Sequence, residues 1–158
     1  MIGVAAAVLP ALFDLAVGVV LAVGVSLATG NGLSPPRFLI GFPLGLVLLL
    51  TAVAGPALFF SATIVTYRDV SALVGVALQF VLFLSPIAYP PELVPERWQT
   101  LYFANPLAGS LGLLRAAIVN AEMPGAGRVL LSFAVAIVAL ILGLRHFRAK
   151  ERAFADII

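Results

Sequence analysis

Few residues in this sequence are able to do covalent chemistry. His146 is the one histidine, and there is no cysteine among the 158 residues. Disulfides, thiolate zinc sites and thiol catalysis are therefore excluded. A metal centre needs several donors and a histidine-based triad needs three groups, so His146 alone can build neither. It lies beside Arg145 and Arg148 and reads as part of a basic helix end. Glu92 and Glu96 come nearest to a carboxylate pair, but they flank Pro95 in a turn. Glu96 fits better as the first-turn acid of a helix that starts after Pro95. There is no G-x-x-x-x-G-K-[ST] phosphate loop, so the chain does not bind ATP by that device. The expectation is passage or assembly in place of catalysis: no enzyme, no bound metal and no cofactor held by this chain.

The polar residues that remain sit in apolar surroundings. Asp14 and Gln79 are the intramembrane candidates. A carboxylate inside a membrane span is expensive and should face protein or water. Asp14 is read first as a carboxylate near a helix end bonded to a neighbouring helix, and second as a site on a translocation path. Asp14, Gly18, Ala22 and Ser26 recur every four residues, as do Ser71, Gly75 and Gln79; Gly41 and Gly45 share the spacing. Small residues so placed let helices approach closely and polar ones bond across the contact, which predicts packing faces. Gly55-Pro56 predicts a bend that a bundle can tolerate.

The elements that must position these residues follow from the charges. Hydrophobic residues make up 63% of the chain and charged residues only 10%, whereas soluble domains carry about a quarter charged residues. The net charge of +2 is too small to argue for nucleic acid. Uncharged runs of 22, 30 and 22 residues separate Asp14 from Arg37, Arg37 from Arg68, and Asp69 from Glu92. A run of 16 separates Arg128 from Arg145, whose long side chains can reach outward from the ends of a span. A span needs about 20 apolar residues. The reading is an all-α membrane protein forming one transmembrane domain over 1–158. Spans are expected at about 4–28, 38–66, 70–88 and 128–147, and a cytoplasmic tail at 148–158.

The stretch 97–120 is also apolar, but Asn105-Pro106 breaks it, because proline lacks an N–H and disfavours helix at the residue before it. Each half is too short to cross, and Trp98, Tyr102 and Phe103 suit the headgroup region. Two short helices that enter the interface and return, over about 90–120, are expected; a full span kinked at Pro106 is the competitor. Arg145, Arg148, Lys150 and Arg152 mark the tail as cytoplasmic. With four spans both termini are cytoplasmic, the Arg68 turn is cytoplasmic and the re-entrant segment is external.

Several local strings combine into a resemblance. Tyr67-Arg68-Asp69-Val70 lies between the second and third spans. Ser85-Pro86-Ile87-Ala88-Tyr89-Pro90 closes the third and leads to Val94-Pro95-Glu96-Arg97-Trp98. Asn105-Pro106-Leu107 is followed by Arg115, and Phe154-Ala155-Asp156-Ile157-Ile158 finishes a basic tail helix. In order and spacing these resemble the permease subunits of ABC exporters that move polysaccharides such as O-antigen, capsule and teichoic acid chains, over about residues 10–158. The resemblance implies a homodimer in the bacterial cytoplasmic (inner) membrane, working with two separate ATP-binding subunits that hold ATP and Mg. Their closure would open a path for a lipid-linked glycan. It implies a substrate path or gate at Ser85, Pro86, Tyr89, Pro90, Trp98, Tyr102, Asn105, Pro106 and Arg115, and a cytoplasmic turn toward the ATPase at Tyr67, Arg68 and Asp69. Such permeases have six spans, and this sequence starts at what resembles the third. The alternatives are an ABC permease of the wider type-2 class moving drugs or lipids, and a truncated membrane scaffold that transports nothing.

Overall fold

The computed structural model describes residues 2–28, 30, 34–67, 69–84 and 93–154, with side chains placed for 13–28, 30, 34–67, 69–81 and 93–151. The described residues are helical, with no strand among them: α1 (Ile2–Ala28), α2 (Pro35–Thr66), α3 (Val70–Leu84), α4 (Glu96–Phe103), α5 (Pro106–Ile118) and α6 (Ala126–Phe154). Two of them, α2 and the 126–151 part of α6, are long and apolar enough to cross a membrane; shorter apolar helical stretches run over Phe13–Ala28, Val70–Val81 and Pro106–Ile118. At 32 residues, α2 is about 48 Å long against a hydrocarbon core of about 30 Å.

The helix ends differ in places from the expected spans. α2 starts at Pro35, because Pro35 and Pro36 occupy its first turn, where a missing N–H costs nothing. It then continues through Pro43 and Pro56 to Thr66, so Gly55-Pro56 does not interrupt it. α6 runs past the expected span end at 147, through Lys150 to Phe154, so the basic tail is helical there, as expected of a tail helix. The expected third span reaches 88, beyond the described end of α3 at Leu84.

Hydroxyl groups on α2 are satisfied locally. Thr51 and Thr63 donate to the carbonyls of Val47 and Phe59 at 2.7 and 2.8 Å, and Ser61 donates to that of Leu58 at 2.9 Å. Bonds of this kind let polar side chains sit in an apolar helix without an orphaned donor.

The contacts fix the relative directions of the helices. On α2 and α6, Gly55 faces Ala139 and Gly143, Thr63 meets His146, and Lys150 lies over Tyr67. The numbers rise together, so α2 and α6 run the same way. On α2 and α5, Gly41 meets Ala117, Gly45 meets Leu113 and Leu114, and Leu48 lies near Gly109. These numbers run in opposite order, so α5 is antiparallel to both long helices. It is also the most enclosed element: Ala108, Gly109, Ser110, Gly112, Leu113, Ala116, Ala117 and Ile118 are buried. Leu48, Ala52, Leu113 and Ala136 form the core where α2, α5 and α6 meet.

Of the small-residue faces, the Gly41–Gly45 pair is a packing face, since α5 lies directly on it. Gly18 and Gly75 have no atom of the described chain within 4 Å of where a side chain would begin. The outward faces of the long helices carry Ile40, Val47, Leu50, Ile137, Ile141 and Leu142, all exposed. Large apolar side chains in such numbers belong against lipid or another apolar surface.

Candidate functional site

Asn105-Pro106 positions the site. Asn105 is the N-cap of α5, its side chain accepting from the Leu107 N–H at 3.0 Å, and Pro106 takes the first helical position. That pairing is a strong local start signal. It separates α5 from α4, which ends at Phe103. The expected break is therefore present, and both halves are short helices. Glu96 is in the first turn of α4, after Pro95 as N-cap.

The join between α4 and α5 is lodged against α6. Ser132, fully buried, donates its hydroxyl to the Phe103 carbonyl at 2.7 Å. A side chain on Gly109 would meet Ser132 Cβ at 2.6 Å, so only glycine lets α5 pass at this level. Ser132→Ala leaves the Phe103 carbonyl buried without its donor, which costs about 1–3 kcal/mol. The expected outcome is that limited proteolysis cuts within 93–105 well before the rest of the bundle, while Ser132→Thr retains protection only if the added methyl finds room.

At the other end of α5, Val119 is the C-cap and Asn120 follows with φ 55°. Asparagine tolerates this left-handed conformation and commonly ends helices in it. Its Oδ1 accepts from Arg37 Nη1 at 2.9 Å, tying the start of α2 to the end of α5 across 83 positions of sequence.

Between α4, α5, the 121–125 loop and the first turns of α6 lies a cleft of about 840 Å3. Its polar lining includes Gln99, Thr100, Arg115, Glu122 and Arg128, and its apolar lining includes Phe103, Met123 and Leu131. Arg128 is held over the Phe103 ring, 5.6 Å from its centre. Thr100 and Phe103 of α4 share this cleft with Gly112 and Arg115 of α5, so the two short helices flank one opening.

The expected gate residues divide. Trp98, Tyr102, Asn105, Pro106 and Arg115 belong to this one element. Trp98 is half exposed, with Arg97 5.9 Å from its ring centre. Tyr102 packs edge-on against Phe103, centroids 5.2 Å apart. Ser85, Pro86, Tyr89 and Pro90 lie outside the described residues, as does Arg68. Tyr67 and Asp69 are exposed at the far end of the bundle. Asp14 and Gln79 are exposed on α1 and α3, neither of them in the cleft. His146 does more than finish a helix: its Nε2 is 3.0 Å from Thr63 Oγ1, and its ring stacks on Phe59 at 4.3 Å. Because the Thr63 hydroxyl already donates to the Phe59 carbonyl, it accepts from His146. The cleft itself, and the part of Arg128 and Glu122 in it, depend on contacts between distant segments; of its charged residues only Arg115 is among the expected gate residues.

Comparison with known proteins gives the family. The model of the ABC-2 type transporter family matches residues 2–119. Two O-antigen export system permease proteins RfbA from Klebsiella pneumoniae are similar: one is 25% identical over 118 residues, 75% of this chain and 45% of that protein. The other is 22% identical over 121 residues, 77% of this chain and 46% of that protein. The chain thus spans about half the length of the curated relatives it matches. A family match over most of the chain, on an all-helical bundle with lipid-compatible outer faces, makes this chain a member of the ABC-2 type transporter family, the membrane permeases of ABC transporters.

Proposed function

We propose that this chain is the membrane-spanning part of a polysaccharide or lipid-linked glycan exporter of the bacterial cytoplasmic membrane. A separate ATP-binding subunit powers it, and it works as a homodimer. The observation that carries the reading is the similarity to O-antigen export permeases in a chain whose α4–α5 pair is wedged between the starts of α2 and α6. On this reading α1, α2, α3 and α6 cross the bilayer. The α4–α5 pair enters from the outer face and returns, and both termini are cytoplasmic. The common direction of α2 and α6 supports this: one returning span and a re-entrant pair between them keep the two parallel, whereas a fifth crossing by 97–120 would oppose them. The length of α5, 13 residues or about 20 Å, supports it too.

The α4–α5 pair then serves as the outer gate. Trp98 and Tyr102 offer ring faces to sugars, and Gln99 and Thr100 offer hydrogen bonds to hydroxyls. Tyr67 and Asp69, with Arg68 between them in sequence, lie on the cytoplasmic side toward the ATPase. The test is a chimera in which this chain replaces the matching stretch of Klebsiella RfbA, expressed with the ATP-binding subunit in a strain lacking RfbA. Surface O-antigen should return. A chimera that reaches the membrane, retains the ATP-binding subunit and leaves the surface bare would count against glycan export.

A further inference from the structure

The charges around the cleft point to a ligand of their own. Arg115 and Arg128 come from different helices, α5 and α6, and line one cleft with Glu122 between them in sequence. Arg115 is half-buried. Arg128 is exposed but steadied by the Phe103 ring. The amino end of α6 opens here as well, with Gly125 and Gly127 in the lining, and a helix amino end carries partial positive charge. Guanidinium groups are suited to phosphate because their donors match its oxygens in pairs.

Depth narrows the source. The cleft sits at residues 121–128, before the uncharged run Val129–Leu144 begins, so in a bilayer it lies where lipid headgroups are. Phe103, Met123 and Leu131 give its lining an apolar part, as the first part of an acyl or prenyl chain requires. The cleft of about 840 Å3 is within the usual size of small-molecule sites, about 300–1,000 Å3.

We propose that this cleft binds the phosphate of a membrane lipid, with Arg115 and Arg128 as its two cationic walls. The inference rests on the bundle lying in a bilayer, not on glycan being the cargo. Three lipids present the same chemistry: phosphatidylglycerol, phosphatidylethanolamine and a polyprenyl diphosphate. Glu122 separates them. It repels a purely anionic headgroup, whereas it pairs with the ammonium of phosphatidylethanolamine.

The test uses the full chain purified in a phosphate-free maltoside, with each of the three lipids added in turn and retention read by native mass spectrometry. Arg128 is exposed, so Arg128→Gln keeps the fold and should weaken retention of the preferred lipid by about tenfold, the loss of one charge-assisted contact. Arg115→Gln/Arg128→Gln should weaken it further. Arg145→Gln, which removes a charge at the opposite end of α6, should change nothing. Glu122→Gln should raise retention if the bound lipid is phosphatidylglycerol or the diphosphate, and lower it if it is phosphatidylethanolamine; either sign fits the proposal and names the source. Equal retention by Arg128→Gln and wild type, or an equal loss in Arg145→Gln, would overturn it. No ATPase or export is involved, so a chimera that fails to export leaves this result standing, and the reverse also holds.

Discussion

Gly55→Leu is expected to remove the folded bundle, while Gly75→Leu leaves it intact. In lipid there is no hydrophobic force drawing one apolar helix to another, so association depends on close packing of small residues. Gly55 and Gly143 bring α2 and α6 to backbone contact. A Cβ on Gly55 would stand 2.6 Å from the Ala139 carbonyl carbon and 2.7 Å from the Leu140 nitrogen, and one on Gly143 would stand 3.1 Å from the Gly55 Cα. These obstacles are main chain and cannot rotate aside. The helices must separate, and the Thr63–His146 and Tyr67–Lys150 contacts further along the same pair separate with them. Overpacking a fitted core costs about 1–3 kcal/mol for smaller intrusions; a whole leucine against backbone should exceed that range. Among the described residues nothing beyond its own helix backbone comes within 4 Å of a Cβ at Gly75, so the same substitution there controls for hydrophobicity and helix propensity. The measurement is the thermal midpoint of aggregation of each variant in detergent. A Gly55→Leu protein as stable as Gly75→Leu would mean that α2 and α6 do not cross at this point.

That contact also shows what the sequence carries and what it does not. The charge spacing is sufficient to find α2 and α6, because a long uncharged apolar run satisfies its backbone in lipid only as a helix, but it does not fix where either helix ends. Asn105-Pro106 is sufficient to divide α4 from α5, because capping and the missing N–H act on neighbours alone. Gly55 was ambiguous for the opposite reason. Beside Pro56 it suggests a bend, yet its role is set by Gly143, 88 positions away in a different helix. Ser132, buried under the Phe103 carbonyl, and Thr63, bonded to His146, had no local signal either. Arg128 reads as a helix-end cation from its neighbours and becomes a cleft wall only when α4 folds against α6. The interaction partners of the open faces of α1 and α3 are not local properties at all. Residues whose function is to meet a distant segment are the ones that composition and spacing miss.

The second large effect concerns motion of the gate. The Arg37–Asn120 hydrogen bond is the polar tie between the start of α2 and the end of α5, and the proposed gate must shift relative to α2 to release a chain of sugars. This chain has no cysteine of its own, so in a chimera whose RfbA part is made cysteine-free Arg37→Cys/Asn120→Cys introduces the only two thiols. A membrane-impermeant bis-methanethiosulfonate reagent added to cells carrying the exporting chimera should bridge them from outside. Export should then fall by at least about tenfold, equivalent to roughly 1.4 kcal/mol or more on the opening step, and a reductant should restore it. Either single variant treated in the same way should export normally, because one thiol cannot form the bridge. Asn120→Cys also removes the residue best suited to φ 55°, so some loosening before the reagent is added is expected and sets the baseline. Absence of labelling would put residues 37 and 120 on the cytoplasmic side and reverse the proposed orientation. Bridging with undiminished export would show that α5 and α2 move as one body, and the exit would then have to open elsewhere, between copies of the chain.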